Sequence, residues 1–301
     1  AYILAPIWFL REVRTAQPEI LQSFLYYDNQ MARVVGVFSP QTTVISGVRV
    51  VPRDQSLLAK ILDTVTLHLS NEVVSNSEAA ASAIHERFSI SPKTVTVIPN
   101  GRNIDEFNTV VSERIWEEFP FESDVPIIGT VGRLVERKGH ADLLTAWEQI
   151  KAHHPTARLL IVGDGPQADF LQRSAERSKV EDSVFFLGMR DDVPELLNIM
   201  DVFVFPSYYE GLPGALLEAM ASELPIIATP VDGNKELISN YESGLFATPH
   251  TPEELTWATI RLLENPELAE SLAVHARRRA ETEFSIDRMV ADFERLYRTH
   301  S

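Results

Sequence analysis

Two carboxylates eight positions apart, Glu210 and Glu218, flank the stretch of this chain best suited to chemistry, Val204–Ala221, VFPSYYEGLPGALLEAMA. The apolar run Asp201–Phe205 predicts a strand, and Ser207, Glu210, Gly211, Pro213 and Gly214 predict a turn after it. A helix then opens with Glu218 in about its second turn. The first N–H groups of a helix have no intrahelical acceptor, and together with the helix dipole they attract anions. Gly211, Leu212, Pro213, Gly214, Ala215 and Leu216 therefore form the expected anion-binding backbone, with a carboxylate on either side. An ordinary βα connection carrying two exposed acids would hold the same glutamates, so the elements around them must decide.

The 301 residues suffice for two domains, and 45% hydrophobic with 23% charged residues is the balance of a globular chain. The net charge of −16 is uneven: residues 1–103 hold 9 Lys/Arg against 8 Asp/Glu, and residues 104–301 hold 18 against 35. So acidic a half argues against a nucleic-acid backbone as partner and gives no support for docking on anionic lipid. An anionic ligand there needs a few placed cations and helix ends. Without cysteine there is no disulfide or thiolate chemistry, and a cytoplasmic location is expected. No apolar run is long enough to span a bilayer, and the opening AYILAPIWFL lacks the basic start of a signal peptide.

Strand and helix patterns alternate along the whole chain, which predicts parallel sheets covered on both faces. The first series has strands at Ile20–Tyr26, Thr43–Gly47, Glu72–Ser75 and Thr94–Pro99, with helices before Pro18 and at Asn29–Phe38, Ser56–Leu69 and Glu78–Phe88. Asn100-Gly101 is a turn or hinge signal. The second series has strands at Ile127–Val131, Leu159–Val162, Val184–Leu187, Val202–Phe205, Pro225–Ala228 and Gly244–Ala247, joined by helices of about ten residues, as a crossover requires. The expected fold class is α/β, two Rossmann-like doubly wound parallel-sheet domains at 1–103 and 104–284, the first incomplete. A last amphipathic helix at 285–301 is expected to pack back toward the first domain.

The string EGLP with a second Glu eight positions on closely resembles the E-x7-E signature of retaining glycosyltransferases of the GT-B fold, the group 1 or family-four type. VTVIPNGRNIDEF resembles the family's hinge segment, and GTVGRLVERKGHADLLTAW its first donor-domain strand and helix. LLIVGDGP, FFLGMRDDVPELL and ATPVDGNKEL resemble further segments in the family's order.

The resemblance implies transfer of a hexose from a nucleoside-diphosphate sugar, taken as a UDP-sugar, to a hydroxyl acceptor. It also implies no cofactor and no metal, with cations in the ion's place. Arg133 and Lys138, just past the carboxyl end of Ile127–Val131, match positions that contact the donor diphosphate. Fixed cations and backbone amides would stabilise that leaving group. The stretch Gly211–Leu216 would supply amides to the distal phosphate. Glu218 would accept from the two ribose hydroxyls, and Glu210 would hold hydroxyls of the transferred sugar. The base would lie against Gly188, Met189 and Arg190, where Arg190 either stacks or pairs with Asp191 or Asp192. Ser207, Asp164 and Glu236 are second-rank candidates. His153-His154 sits at a predicted helix end with no converging ligands, so no metal site is expected.

The chain departs from the family at its start, where a first strand and a glycine-rich loop are expected and a helix stands instead. Gln22, Phe24, Tyr26 and Tyr27 stand where the family commonly has histidines; Tyr27, Asp28 and Asn29 could meet an acceptor hydroxyl, but a strand end and helix cap is the favoured reading. An incomplete sheet exposes an edge, so the run Tyr2–Leu10 is expected to cover it or to form a homodimer. The alternative to a working transferase is an inactive nucleotide-binding module; an epimerase on the same fold ranks last.

Overall fold

A computed structural model describes residues 5–49, 56–88, 95–121 and 124–300. They fall into two compact units: the chain up to Asn100 together with the segment from Asp287 onward, and Gly101–Ile286. The chain thus passes between units at Asn100–Gly101 and again at Ile286–Asp287, a few residues from the expected boundaries. Arg102 explains the shift, because its N–H donates to Phe284 O (2.9 Å) and its carbonyl accepts from Ile286 N (2.8 Å), which ties the residues just after Asn100 into the second unit.

In the first unit α1 (Ala5–Ala16), β1 (Ile20–Ser23), α2 (Tyr26–Val37), β2 (Thr43–Val48), α3 (Leu57–Leu67), β3 (Glu72–Ser75), α4 (Glu78–Phe88) and β4 (Val95–Val97) follow in order. The sheet is parallel and its order is sequential, β1-β2-β3-β4, with no reversal. Leu67, Val73, Ile84 and Phe88 form one apolar layer, and Ile45, Val74 and Ile98 pack with Leu296 of the chain's last helix in another. The first strand is shorter than its pattern predicts. Tyr26 and Tyr27 belong to a helix because Asn29 N donates to Leu25 O at 2.7 Å, and Asn29's amide is buried between Ser23 and the Gly47 carbonyl. Ser56 caps α3 from outside, accepting from Ala59 N. Tyr2–Leu4 of the opening apolar run and Thr94 of the fourth expected strand lie outside the described residues; the rest of the run begins α1, where Ile7 and Trp8 are exposed.

The second unit holds α5 (Glu113–Glu117), β5 (Ile127–Val131), α6 (His140–His153), β6 (Arg158–Val162), α7 (Ala168–Arg177), β7 (Val184–Gly188), α8 (Val193–Leu197), β8 (Val202–Phe205), α9 (Gly214–Ala221), β9 (Ile226–Ala228), α10 (Asp232–Leu237), β10 (Leu245–Phe246), α11 (Pro252–Glu264) and α12 (Pro266–Glu283). Helix α13 (Ile286–Arg298) then runs into the first unit. Helices α8 and α10 have 5 and 6 residues, shorter than expected, because the loops beside them supply the rest of each crossover. Among the described residues no helix is long and apolar enough to cross a membrane.

All strand pairs here are parallel, in the order β10-β9-β8-β5-β6-β7. The order reverses between β5 and β8, paired at Ile128–Val202 and Gly129–Phe203. Such a switch point opens a crevice at the carboxyl ends of the two strands, the ligand position in doubly wound sheets. Apolar layers on both faces, with Trp147 and Phe203 fully buried, fix the strands beneath it.

Beside the crevice the β6 end approaches the β5 end at Gly163, whose φ is 130° and where a Cβ would collide with the Gly132 carbonyl oxygen. Gly163→Ala is expected to destabilise the unit by about 1–3 kcal/mol through strain and that clash. Thermal unfolding followed by circular dichroism would check this; an unchanged midpoint refutes it.

Candidate active site

Two loops meet at the switch point. The loop after β5 runs Gly132, Arg133, Leu134 and Val135 into a 3-10 turn, Glu136–Lys138. The loop after β8 carries Ser207–Pro213 to the start of α9. Lys138 Nζ lies 2.7 Å from Glu210 Oε1, with side chains only 11% and 7% exposed. The ammonium also sits 4.5 Å from the Phe205 ring centroid. Burial lowers the pKa of Lys138, and Glu210 opposes that shift in part. Arg137 adds a second cation, its Nη1 3.4 Å from Glu210 Oε1 and 3.3 Å from Tyr209 O, with the guanidinium over the Tyr209 ring. Two buried or half-buried cations thus converge on one carboxylate oxygen at the mouth of the crevice.

Helix α9 begins at Gly214 with Pro213 as its preceding residue and no side-chain cap. Its opening N–H groups therefore face outward without a helical partner. Leu212 and Leu216 point their side chains into the core, so only their backbone is free to meet a ligand. Glu218, one turn in, accepts from Arg102 Nε at 3.1 Å. Beneath the loop the Thr229 hydroxyl donates to Ser207 O, and Asn234 Nδ2 donates to Thr229 O at 3.0 Å; all three residues are buried. Ser207 is therefore part of the support for the loop.

Arg133 lies earlier on the same loop as Lys138. It is exposed and lines a cavity of about 580 Å³ with Val135, Glu136, Arg137, Tyr208, Tyr209 and His250. No carboxylate among the described residues pairs with it. Tyr208 lies against His250 with centroids 3.9 Å apart and the rings tilted by 35°, and burial followed by Asp142 pushes its hydroxyl up to about 12. Arg137 joins Lys138 at Glu210, in addition to the Arg133 expected on the same loop.

At the end of β7, Gly188 O accepts from Gly163 N at 2.7 Å and Met189 is 84% exposed. Arg190 is engaged by carboxylates: Nε and Nη2 each donate to Asp192 at 2.7 Å, and Nη1 donates to Glu118 at 2.7 Å. Those bonds hold the Asp192 carboxyl below its usual range. Of the three residues expected at the base, Met189 is exposed, Gly188 has its carbonyl engaged by Gly163, and Arg190 is tied down. Asp164 closes a turn by accepting from Gly165 N, and Glu236 is half-buried on α10. His153 bonds its own helix at Gln149 O, and among the described residues no group of three His, Asp or Glu side chains converges as a metal site.

Arg137 and Arg102 had not been singled out. The signal for Arg137 is its place beside Lys138 in the charged run VERKG; none marks Arg102, whose partner is 116 positions away.

Residues 111–279 match the sequence profile of the family described as glycosyl transferases group 1. An uncharacterised glycosyltransferase of Methanocaldococcus jannaschii is 28% identical over 254 residues, 81% of this chain and 64% of that protein. The 2-deoxystreptamine glucosyltransferase of Streptomyces kanamyceticus is 26% identical over 77% of this chain and 59% of its own length. The chain therefore spans about three fifths of these relatives. Among solved structures, Anabaena HepE in complex with UDP superposes with a TM-score of 0.90 at 19% identity, over 98% of this chain and 82% of that one. Sucrose-phosphate synthase of Thermosynechococcus elongatus gives 0.82 at 24% identity, over 97% and 76%. The fold of these proteins is the GT-B fold expected above.

His140, which opens α6 beside Lys138, is 3% exposed, and burial followed by the lysine's charge lowers it from 6.5 to about 4. Its unfolded form takes up a proton near 6.5 and its folded form only near 4. The stability it contributes is therefore complete above pH 6.5 and lost as the pH falls toward 4, by about 3 kcal/mol. His140→Gln is expected to flatten that part of the stability–pH curve in urea unfolding; an unchanged slope refutes the assignment.

Proposed function

The chain belongs to the glycosyl transferases group 1 family, and on that premise we propose that it moves a hexose from a nucleoside-diphosphate sugar to a hydroxyl acceptor with retention and without a metal. The observation that carries the reading is the buried Lys138–Glu210 pair at the switch point, next to the uncapped start of α9. UDP in the HepE structure and the name of a relative from Escherichia coli, UDP-Gal:alpha-D-GlcNAc-diphosphoundecaprenol alpha-1,3-galactosyltransferase, 27% identical over 69% of this chain, favour uridine as the base.

In this reading the donor diphosphate lies between the α9 amides and the cations of the β5 loop, Lys138 first and Arg133 and Arg137 from the side. The bond from the anomeric carbon to the diphosphate breaks, and the acceptor oxygen bonds on the same face. The acceptor's proton goes to the departing phosphate oxygen. Fixed positive charge stabilises the leaving group as its charge grows, without reorganisation. Glu210 holds hydroxyls of the sugar, Glu218 those of the ribose, and the base rests on the backbone at Gly188 and Met189.

Thermal shift with UDP, GDP and ADP should raise the melting temperature most for the nucleotide of the true donor. Lys138→Ala and Glu210→Ala should each lower turnover about a hundred-fold or more. Unchanged turnover in both refutes these roles. A nucleotide-induced shift with neither transfer nor donor hydrolysis would favour the inactive binding module instead.

The homodimer is proposed on the first unit, where α3 exposes Leu57, Leu58, Ile61 and Val65. Light scattering should return twice the chain mass; a monomer at micromolar concentration refutes it.

A further inference from the structure

Arg102 lies upstream of the family-matched span, and its placement is unusual for a cation. Its backbone is held on both sides, N–H to Phe284 O and carbonyl to Ile286 N, so the side chain leaves from a fixed point. The guanidinium lies across the first turn of α9. A Cβ on Gly214 would collide with its Nη2 and lie 3.6 Å from Glu218 Oε1. Glycine at 214 leaves the arginine room to lie there; a Cβ would push the guanidinium aside.

A helix N-terminus carries partial positive charge, so a guanidinium against it is repelled unless anions compensate. The structure supplies one, Glu218, whose Oε1 accepts from Arg102 Nε at 3.1 Å. The guanidinium thus sits between that carboxylate and the uncapped start of α9. Only Oε1 is engaged by the arginine, which leaves Oε2 for another donor.

We propose that Arg102 is a positioning residue of the nucleotide site: it holds Glu218 by Oε1 so that Oε2 meets the ribose hydroxyls of a nucleoside diphosphate. This inference rests on the donor reading above, and it adds that discrimination between ribose and deoxyribose depends on residue 102. The pair works as a unit. Without the arginine, Glu218 is free to turn to solvent or to the α9 amides, and the ribose loses a fixed acceptor.

The test uses whichever of UDP, GDP and ADP gives the largest thermal shift, together with its 2′-deoxy form, in calorimetric titrations. The wild-type chain should bind the ribonucleotide about ten-fold more tightly, the worth of one hydrogen bond to a charged group. In Arg102→Met the two affinities should come within about two-fold of each other, and Arg102→Lys should restore part of the difference. In the double variant with Glu218→Gln, the second change should cost the ribonucleotide little beyond the first.

A purely structural role would weaken both nucleotides equally and leave their ratio intact; that result overturns the proposal while the donor reading stands. A wild-type chain that binds without preferring ribose also overturns it. If none of the three diphosphates binds the wild type, the donor reading falls and this inference with it. Arg102→Gln, which keeps an N–H donor and much of the side chain's length, serves should the methionine variant fail to fold by circular dichroism.

Discussion

A charge pair withdrawn from water is what the second unit is built to hold. Lys138 and Glu210 come from loops far apart in sequence and meet because β5 and β8 are neighbours at the sheet's reversal. Taking two charges out of water is expensive, and a buried pair is seldom more stabilising than an apolar pair of the same size. Stability alone would be served by two leucines. A lysine whose ammonium is held at the mouth of a ligand crevice, facing a carboxylate and the Phe205 ring, is arranged for something that binds there. Arg137 reinforces the point, since a second cation on the same oxygen leaves the cluster with positive charge to spare.

The overall charge makes that local excess more telling. The chain carries −16, and all of the surplus lies in residues 104–301. Against this background Arg102, Arg133, Arg137 and Lys138 all come from loops at the carboxyl ends of the strands or beside the α9 start. Arg114 and Arg190, by contrast, are absorbed by Asp192 and Glu118 in a network at the β7 side. That network fastens the loop whose backbone would meet a base, whereas Lys138 and Arg137 gather on Glu210 and Arg102 on Glu218 at the switch point.

The second unit was legible because its strands are short apolar runs closed by Gly, Pro or Asp, and burial on both faces leaves such runs few alternatives. The ends of its helices were not: α8 and α10 stop early because crossovers count total length, which a loop can supply as well as a helix. In the first unit the aromatic stretch at Tyr26 and Tyr27 reads as strand by propensity, yet the bonds of Asn29 to Ser23 and Gly47 place it in a helix. In the site, Lys138 and Glu210 were visible as types at suggestive spacings. Arg102 was invisible, because nothing local marks a side chain whose purpose is met 116 residues later.

The two sheets also differ in what their topology permits. The second reverses its winding and so opens a crevice of its own between β5 and β8. The first, within its described residues, winds one way from β1 to β4 and has no such point. The α9 start, Glu218, Arg102, Lys138 and Glu210 all belong to Gly101–Ile286, so the donor site proposed above lies within one unit. As proposed, that site needs nothing from the first unit, which is why binding and transfer have to be measured separately.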